Sequence, residues 1–456
     1  MSLRKPNKKI HFVGIGGAGM SGLAEILLAM GHKVSGSDKE KSETTLYLEK
    51  CGATVFEGHQ QENLGDAELL IYSSAVPKDN PEMLAAKEKN VPCIRRAELL
   101  GQLMLKKTGI AVAGTHGKTT TTSMISKLLI DAGFDPTVVV GGRLKNLKTN
   151  ARLGKGNYFV TEADEYDRSF LTLFPTISII TSLEEDHLDI YSGLQDLKET
   201  FVKFANQTAF DGLVILCADN KNSIELSAQV NSIVVSYGLS DKALIKAENI
   251  ETKDGRTTFY VSADSRQLGT ITLQMPGSHN IQNALAAVTV GLELDIPFET
   301  IASSLSGFSG VQRRFEFKGQ TKDILVYDDY AHHPTEVAAT LQAAKTSWDR
   351  RVVVLFQPHL FSRTRDFAVE FADALTIADK IILAEIYPAR EKPMSGVTSQ
   401  LIADKIKKPV LYIRDKNELV KSASAELKSG DMLITMGAGD IWKYGEMILK
   451  NLSRQK

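Results

Sequence analysis

Cysteine is scarce, with three in 456 residues. Cys51, Cys93 and Cys217 are too few and too scattered for a disulfide framework or a thiolate metal site. They are expected to pack as small apolar groups in a reducing compartment. Long apolar runs are missing too, and none approaches the ~20 residues a membrane span needs. The opening stretch MSLRKPNKKIHF has basic residues but no apolar run before a small-residue cleavage site, so no signal peptide is expected. The expected location is cytoplasmic, with no membrane insertion. Charge of one sign is not in excess: Lys+Arg is 54, Asp+Glu is 55 and the net charge is -1. No global attraction to nucleic acid or anionic membrane follows, and no nucleic-acid partner is expected. Nothing repeats at a solenoid period and no segment is low in complexity. The remaining composition, 43% hydrophobic and 24% charged, is that of a globular protein, and the length suggests three domains.

The pattern that recurs is strand, glycine turn, helix. It opens with KKIHFVGIGGAGMSGLAEILLAMGHKVSGSD and starts again at TGIAVAGTHGKTTTTSMISKLLIDAG. A third region has apolar strand-like runs at Arg351–Phe356, Lys380–Ala384 and Asp431–Met436. Strands alternating with helices argue for parallel sheets covered on both faces. Boundaries are expected near Lys106–Thr108 and near Gly307–Arg314. Between Ile250 and Gln274 short alternating strands flank Asp254-Gly255, a hairpin signal, so the middle region is expected to contain antiparallel strands.

Two glycine loops carry chemistry. Gly14, Gly16 and Gly19 follow a strand and open a helix, and Asp38 ends the next strand. Glycines admit a diphosphate to the backbone, and a helix N-terminus supplies N–H donors. Any diphosphate fits, that of NAD or of a UDP-sugar; a tight turn without ligand is the alternative. The second loop is more specific. Gly114-Thr115-His116-Gly117-Lys118-Thr119-Thr120 follows an apolar strand and opens a helix, with Val112 where the usual phosphate-binding loop has its first glycine. Its backbone N–H groups suit phosphate oxygens, Lys118 their charge, and a hydroxyl a Mg²⁺ ion. Glu162, at a strand's C-terminal end, is a candidate metal ligand, and His187 sits among Glu184, Glu185, Asp186 and Asp189. Further polar groups are His279 and Asn283 ahead of a small-residue helix, and the Arg313-Arg314 pair, which alone would be taken for solvated surface. Downstream lie Asp328-Asp329-Tyr330-Ala331-His332-His333, and His359 with Arg363 and Arg365.

In order along the chain, GIGGAGMSGLA, GTHGKTTTT, EADEYDRSFL, DHLDIY, GSHNIQNALAA, RRFE, DDYAHHPTEV, PHLFSRTRD and GAGDIW resemble the Mur ligases of bacterial peptidoglycan synthesis. The resemblance covers essentially the whole chain. It implies an α/β protein of three domains. Residues 1–107 would be Rossmann-like and bind a UDP-sugar. Residues 108–311 would be a central P-loop ATPase-type α/β domain with some antiparallel strands. Residues 312–456 would be Rossmann-like and bind the amino acid. The implied activity is ATP- and Mg²⁺-dependent ligation of L-alanine to the carboxylate of UDP-N-acetylmuramate through an acyl phosphate, by a monomer or homodimer.

Carried over residue by residue, Gly114, Thr115, His116, Gly117, Lys118, Thr119 and Thr120 would bind ATP. So would His279 and Asn283 on the adenine side, Arg314 near the phosphates and Asp329 at the ribose. Thr119, Glu162 and His187 would hold metal. Lys118, His187, Arg314 and His332 would be catalytic. Gly14, Gly16, Gly17, Gly19, Met20, Ser21, Asp38, His59 and Ser73 would hold the UDP-sugar, and Tyr330, His332, His359 and Arg363 the amino acid. Two departures stand out. Where several related ligases hold metal with a carbamylated lysine, this chain has Phe201, with Lys198 three places early, so no carbamate is expected. Tyr166 and Arg168 replace smaller residues in the acidic motif, which bears on the sugar contacts. The nearest competing reading is the recycling ligase that adds a tripeptide to the same sugar. A nicotinamide dehydrogenase would leave Lys118 and Thr119 without a role, and a nucleotide-regulated binding protein without ligase chemistry would not make ATP turnover depend on both the sugar and an amine acceptor.

Overall fold

The computed structural model describes residues 6–142, 149–187, 190–389 and 391–454. Two compact units divide them: 1–248 with 260–270 and 282–305, and 249–259 with 271–281 and 306–456.

The first unit opens with five strands, β1 (Lys9–Val13), β2 (Lys33–Asp38), β3 (Thr54–Glu57), β4 (Leu69–Tyr72) and β5 (Cys93–Arg95). They form a parallel sheet of order β3-β2-β1-β4-β5. Its helices include α1 (Ala18–Ala29), α2 (Glu43–Lys50), α3 (Pro81–Glu88) and α4 (Arg96–Met104). The order reverses at β1, where the first glycine loop lies, and open α/β sheets bind ligands at such switch points.

A second sheet holds β6 (Thr108–Ala113), β7 (Thr137–Val139), β8 (Ala151–Arg152), β9 (Tyr158–Glu162), β10 (Ile177–Ile180), β11 (Leu213–Cys217) and β12 (Ile233–Gly238). The order is β12-β11-β10-β6-β9-β7-β8, parallel except between β7 and β8. Helix α5 (Lys118–Asp131) leaves β6, and α6 (Leu194–Ala205) follows β10. The continuous apolar runs of β10 and β11 are buried throughout, as expected of strands covered on both faces. Beyond β12 come β13 (Ile245–Lys253), β14 (Arg256–Ala263) and β15 (Arg266–Leu273). Asp254 (φ 48°) and Gly255 (φ 74°) turn β13 into β14, both left-handed as the tightest hairpin turns require. The antiparallel expectation for this region is met.

The first two sheets share one hydrophobic cluster, running from Ile10 to Leu226. Contact across it is close. A Cβ at Gly101 in α4 would lie 2.3 Å from the Thr172 carbonyl oxygen, and Thr172 Oγ1 donates to Ala97 O at 2.9 Å. Phe201 is fully buried with its ring 5.1 Å from that of Phe170, while Phe204 stacks on Phe170 at 4.8 Å. Phe201, at the position where the resemblance placed the question of a modified lysine, is thus apolar core, and Lys198 is committed to Glu225 at 2.9 Å.

The second unit carries β16 (Glu316–Thr321), β17 (Ile324–Asp329), β18 (Arg351–Phe356), β19 (Lys380–Ala384), β20 (Val410–Ile413) and β21 (Asp431–Met436). The order is β16-β17-β21-β18-β19-β20, with only β16 antiparallel to its neighbour. Hydrophobic clusters cover both faces. The three strands expected from the apolar runs of this region occupy the expected residues.

Phe201→Ala is expected to cost about 3–5 kcal/mol in urea unfolding, because it opens a cavity under Phe170. Phe210→Ala, at a side chain 96% exposed, is expected to stay within about 0.5 kcal/mol of the parent.

Candidate active site

The second glycine loop is held by backbone geometry that side chains would break. Gly114 (φ 130°) leaves no room for a Cβ, which would meet Thr181 Oγ1 at 2.1 Å. Gly117 (φ 83°) caps α5, and a Cβ there would meet Asn283 Oδ1 at 2.6 Å. Thr115 N donates to Ser182 O at 2.9 Å and His116 N to Ser182 Oγ at 3.0 Å, tying the loop to the segment after β10. His116 also faces Glu184, with Nε2 and Oε2 3.3 Å apart. No side chain caps α5 and no acid stands in its first turn, so its positive end is open to an anion. Thr119 sits in that first turn. Thr120 is buried behind it, and Thr121 Oγ1 donates to Asn283 Oδ1 at 3.1 Å.

Lys118 folds back over this loop. Its ammonium donates to Gly114 O at 2.5 Å, to Thr115 O at 3.2 Å and to both carboxylate oxygens of Glu165 at 2.8 Å. Glu165 is 2% exposed and also faces His187, whose Nε2 lies 3.5 Å from Oε1. Tyr191 OH donates to the Glu165 carbonyl at 2.6 Å, and the Tyr166 ring meets the His187 ring edge-on at 5.2 Å. Burial alone would raise the Glu165 pKa, but the Lys118 charge and His187 outweigh it and hold the carboxyl below its usual range. Burial pulls on Lys118 and His187 in the opposite sense, and Glu165 with Asp164 or Asp186 outweighs it, so both are raised. Glu162 ends β9, accepts from Gly141 N at 2.7 Å and contributes to the field on Lys118. Lys118 and His187, chosen from the sequence, therefore meet at Glu165, which sequence reasoning passed over, and Glu162 is close enough for Lys118 to feel its charge. Asp189, chosen as a neighbour of His187, lies outside the described residues.

At the first loop, Gly14 (φ 80°) and Ile15 donate to Ser37 O at 2.8 and 3.0 Å, and Gly16 N donates to Asp38 Oδ2 at 2.7 Å. Asp38 thus braces the loop. Gly17 caps α1, again with no side-chain cap and no acid in the first turn. Ser73 lies over Gly14, its Oγ 3.8 Å from where a Cβ would be. Met20 and Ser21 give their N–H groups to Gly17 O at 2.9 and 2.8 Å, and the Met20 side chain is in the core. These two offer the loop mouth no free N–H, although Ser21 lines a 340 Å³ cavity with Gly16, Ala18, Glu25, Tyr47 and Thr149. His59 Nδ1 lies 3.0 Å from Ser37 Oγ, which donates to the fully buried Glu82 at 2.6 Å. With its only proton given to Glu82, the Ser37 hydroxyl accepts from His59 Nδ1–H. Glu82, 23 residues from His59, was not singled out from the sequence; nothing local marks it.

In the second unit the ends of β17 and β18 bring the remaining candidates together. Asp329 accepts from Ala331 N and Phe315 N, both at 2.7 Å, and burial pushes its carboxyl up to about 6. His332 Nδ1 is 3.0 Å from Tyr330 O, and its ring packs edge-on against Tyr330 at 5.3 Å and His359 at 5.7 Å. Burial depresses His332 to about 3, assisted by the Arg363 charge, so this imidazole is neutral at physiological pH. Burial and the Arg314 charge likewise lower His279 to about 4. The Arg313-Arg314 pair is not the solvated surface its setting suggested. Arg313 Nε donates to Asp328 at 3.0 Å and its guanidinium also reaches the Gly437 and Gly439 carbonyls. Both guanidiniums lie against the Tyr330 ring, at 5.0 and 5.3 Å. Asn283, grouped with His279 on sequence grounds, belongs to the first unit.

Three family profiles match in order: Mur ligase family, catalytic domain, over residues 9–108; Mur ligase middle domain over 112–291; and Mur ligase, glutamate ligase domain over 313–439. The chain is 50% identical to the UDP-N-acetylmuramate–L-alanine ligase of Geotalea uraniireducens over 98% of both chains. It is 47% identical to the protein of the same name in Geobacter sulfurreducens, again over 98% of both. Among solved structures, the UDP-N-acetylmuramate–alanine ligase of Thermotoga maritima superposes with a TM-score of 0.84 at 31% identity, covering 98% of this chain and 100% of that one. A murein peptide ligase of Psychrobacter arcticus gives 0.73 at 27% identity, covering 99% and 100%. Profiles that tile the chain, and relatives half identical along its length, show that it belongs to the Mur ligase family.

Proposed function

We propose that this chain joins L-alanine to UDP-N-acetylmuramate at the cost of ATP, giving UDP-N-acetylmuramoyl-L-alanine, ADP and phosphate in cytoplasmic peptidoglycan precursor synthesis. The observation that carries the reading is the Gly114–Thr119 loop. It is an open helix N-terminus with a lysine beside it, in a chain half identical to ligases of that name. The muramoyl carboxylate attacks the γ-phosphorus of ATP and ADP leaves. The L-alanine nitrogen then attacks the acyl carbon and phosphate departs. Phosphorylation is required because a free carboxylate has no leaving group better than oxide.

The work divides among residues 1–107, 108–311 and 312–456. In the first, Gly14, Gly16, Gly17 and Gly19 receive the UDP diphosphate, with His59 and Ser73 beside it. In the second, Lys118 neutralises phosphate oxygens once it turns from Glu165, and Asn283 and His279 are each assigned to the adenine. In the third, Arg314 and Asp329 serve ATP, and Tyr330, His332, His359 and Arg363 receive L-alanine. His332 stands at that end as a neutral imidazole, with Nδ1 3.0 Å from Tyr330 O, and is the catalytic candidate there. Thr119 offers one Mg²⁺ the hard oxygen donor it prefers and Glu162 offers a second Mg²⁺ the same, so the oxygen donors fit the ion; His187 would join Glu162 on giving up the proton that Glu165 and Asp186 favour. Bound Mg²⁺ offsets charge on the phosphate oxygens. The chain acts as a monomer or homodimer.

Phosphate release with ATP, Mg²⁺ and UDP-N-acetylmuramate is expected to need L-alanine. Release that needs the tripeptide instead would assign the chain to the recycling activity, and no release with either would leave the family without the activity. Lys118→Ala is expected to abolish release while UDP-N-acetylmuramate affinity, measured by calorimetry, stays within about twofold, since distant sites act independently. His187→Ala is expected to raise the Mg²⁺ concentration needed for half-maximal release; an unchanged titration would make His187 structural.

The ion pair also predicts a pH effect. In the parent protein Glu165 is held below its unfolded pKa, so it adds stability above that pKa, and the gain is lost as pH falls through the folded value. Lys118→Met strands the buried carboxylate and is expected to cost about 3–5 kcal/mol near neutral pH. The loss should shrink in acid, where Glu165 protonates, and adding Glu165→Gln should recover most of it, both read from urea midpoints.

A further inference from the structure

Arg96 opens α4, and its side chain reaches across the first turn of α1. A Cβ on Gly19 would lie 3.0 Å from both Arg96 Cδ and Nη1. The third glycine of the loop therefore makes room for a guanidinium beside the loop mouth. At its far end Arg96 Nη2 is 3.8 Å from Asp164 Oδ2, a loose pair between side chains 24% and 47% exposed. Arg95 makes a similar long reach to Asp167 at 4.0 Å. Asp164 belongs to the acidic loop after β9, and its charge is felt at Lys118. That loop is tightly wound: Asp167 (φ 56°) and Arg168 (φ 53°) are consecutive left-handed residues, with Arg168 fixed to Asp196 at 2.7 and 2.8 Å.

A guanidinium against an uncapped helix N-terminus adds a full positive charge to the helix's partial one where the first glycine loop would receive a diphosphate. Its present partner holds it by a single long contact, whereas a phosphate would take two parallel hydrogen bonds. Resting on the reading of that loop as the UDP-sugar site, we propose that Arg96 is a diphosphate-binding residue, held by Asp164 in the empty protein and released to the diphosphate when the UDP-sugar binds. The exchange leaves Asp164 without its cation, on the loop that also carries Glu162 and Glu165.

The test is calorimetric titration of the full chain with uridine, UDP and UDP-N-acetylmuramate, without ATP. Arg96→Ala is expected to weaken UDP and UDP-N-acetylmuramate by about 10–100-fold, the usual loss of a charged hydrogen bond, and to leave uridine unchanged. Arg96→Lys, which keeps charge but not the fork, should fall between. Asp164→Asn, which frees the guanidinium, should tighten UDP binding. If Arg96→Ala does not fold, the lysine and Asp164→Asn variants decide the question. UDP affinity unchanged in the Arg96 variants, or equal losses for uridine and UDP, would overturn the role of Arg96. UDP affinity unchanged or weakened in Asp164→Asn would overturn the exchange. A folded parent protein that binds neither UDP nor UDP-N-acetylmuramate would overturn the reading of the loop itself, and this inference with it.

Discussion

A buried ammonium and a buried carboxylate are each untenable alone, and the loop between β6 and α5 is organised around that fact. Glu165 takes both its oxygens to Lys118, and the loop carbonyls of Gly114 and Thr115 share the remaining protons. The pair fixes the lysine where an anion at the α5 N-terminus would lie, and it fixes the acidic loop that also holds Glu162. Desolvation penalises both partners, so the arrangement persists only because each compensates the other. An incoming polyphosphate has more negative charge than Glu165 and can compete for the same ammonium. The resting Glu165 carboxylate has the sign of the proposed ligand.

The three histidines at the proposed ATP and L-alanine ends show how environment divides one residue type into different chemical groups. His187 faces Glu165 and Asp186 and is drawn toward its charged form. His279 and His332 are half-buried near arginines and are kept neutral, down to about 4 and about 3. A neutral imidazole offers a lone pair and one N–H without charge, whereas a charged one steadies a carboxylate.

Much of this was legible in the sequence because the signals were local. Apolar runs bounded by turn residues located β18, β19 and β21, and Asp254-Gly255 announced its hairpin because few residue pairs tolerate two left-handed conformations. Lys118 and the glycines around it could be chosen because a strand–loop–helix allows few ways to place a phosphate. The remainder depended on distance along the chain. In EADEYD four acids stand within six residues, and only the fold distinguishes Glu165, which meets Lys118, from Glu162, which braces Gly141. Arg96 is 77 residues from the glycine it shelters against, and Glu82 is 45 from the serine it orients. Arg313 looked like surface because nothing local shows that β17 and the Gly437 loop would come to it. Met20 and Ser21 followed the motif by position, yet helix geometry spends their N–H groups on Gly17.

The hydrophobic cluster that runs unbroken from Ile10 to Leu226 has a bearing on how such a chain is made. With α4 pressed backbone-close on the Tyr166–Thr172 turn, the apolar side of the first sheet is finished by residues translated much later. A nascent chain of about a hundred residues would hold a complete set of strands but an uncovered flank, and would have to wait on the ribosome for its partner layer. Exchange of this N-terminal segment between relatives, or its expression as a free fragment, is constrained by the same unfinished surface.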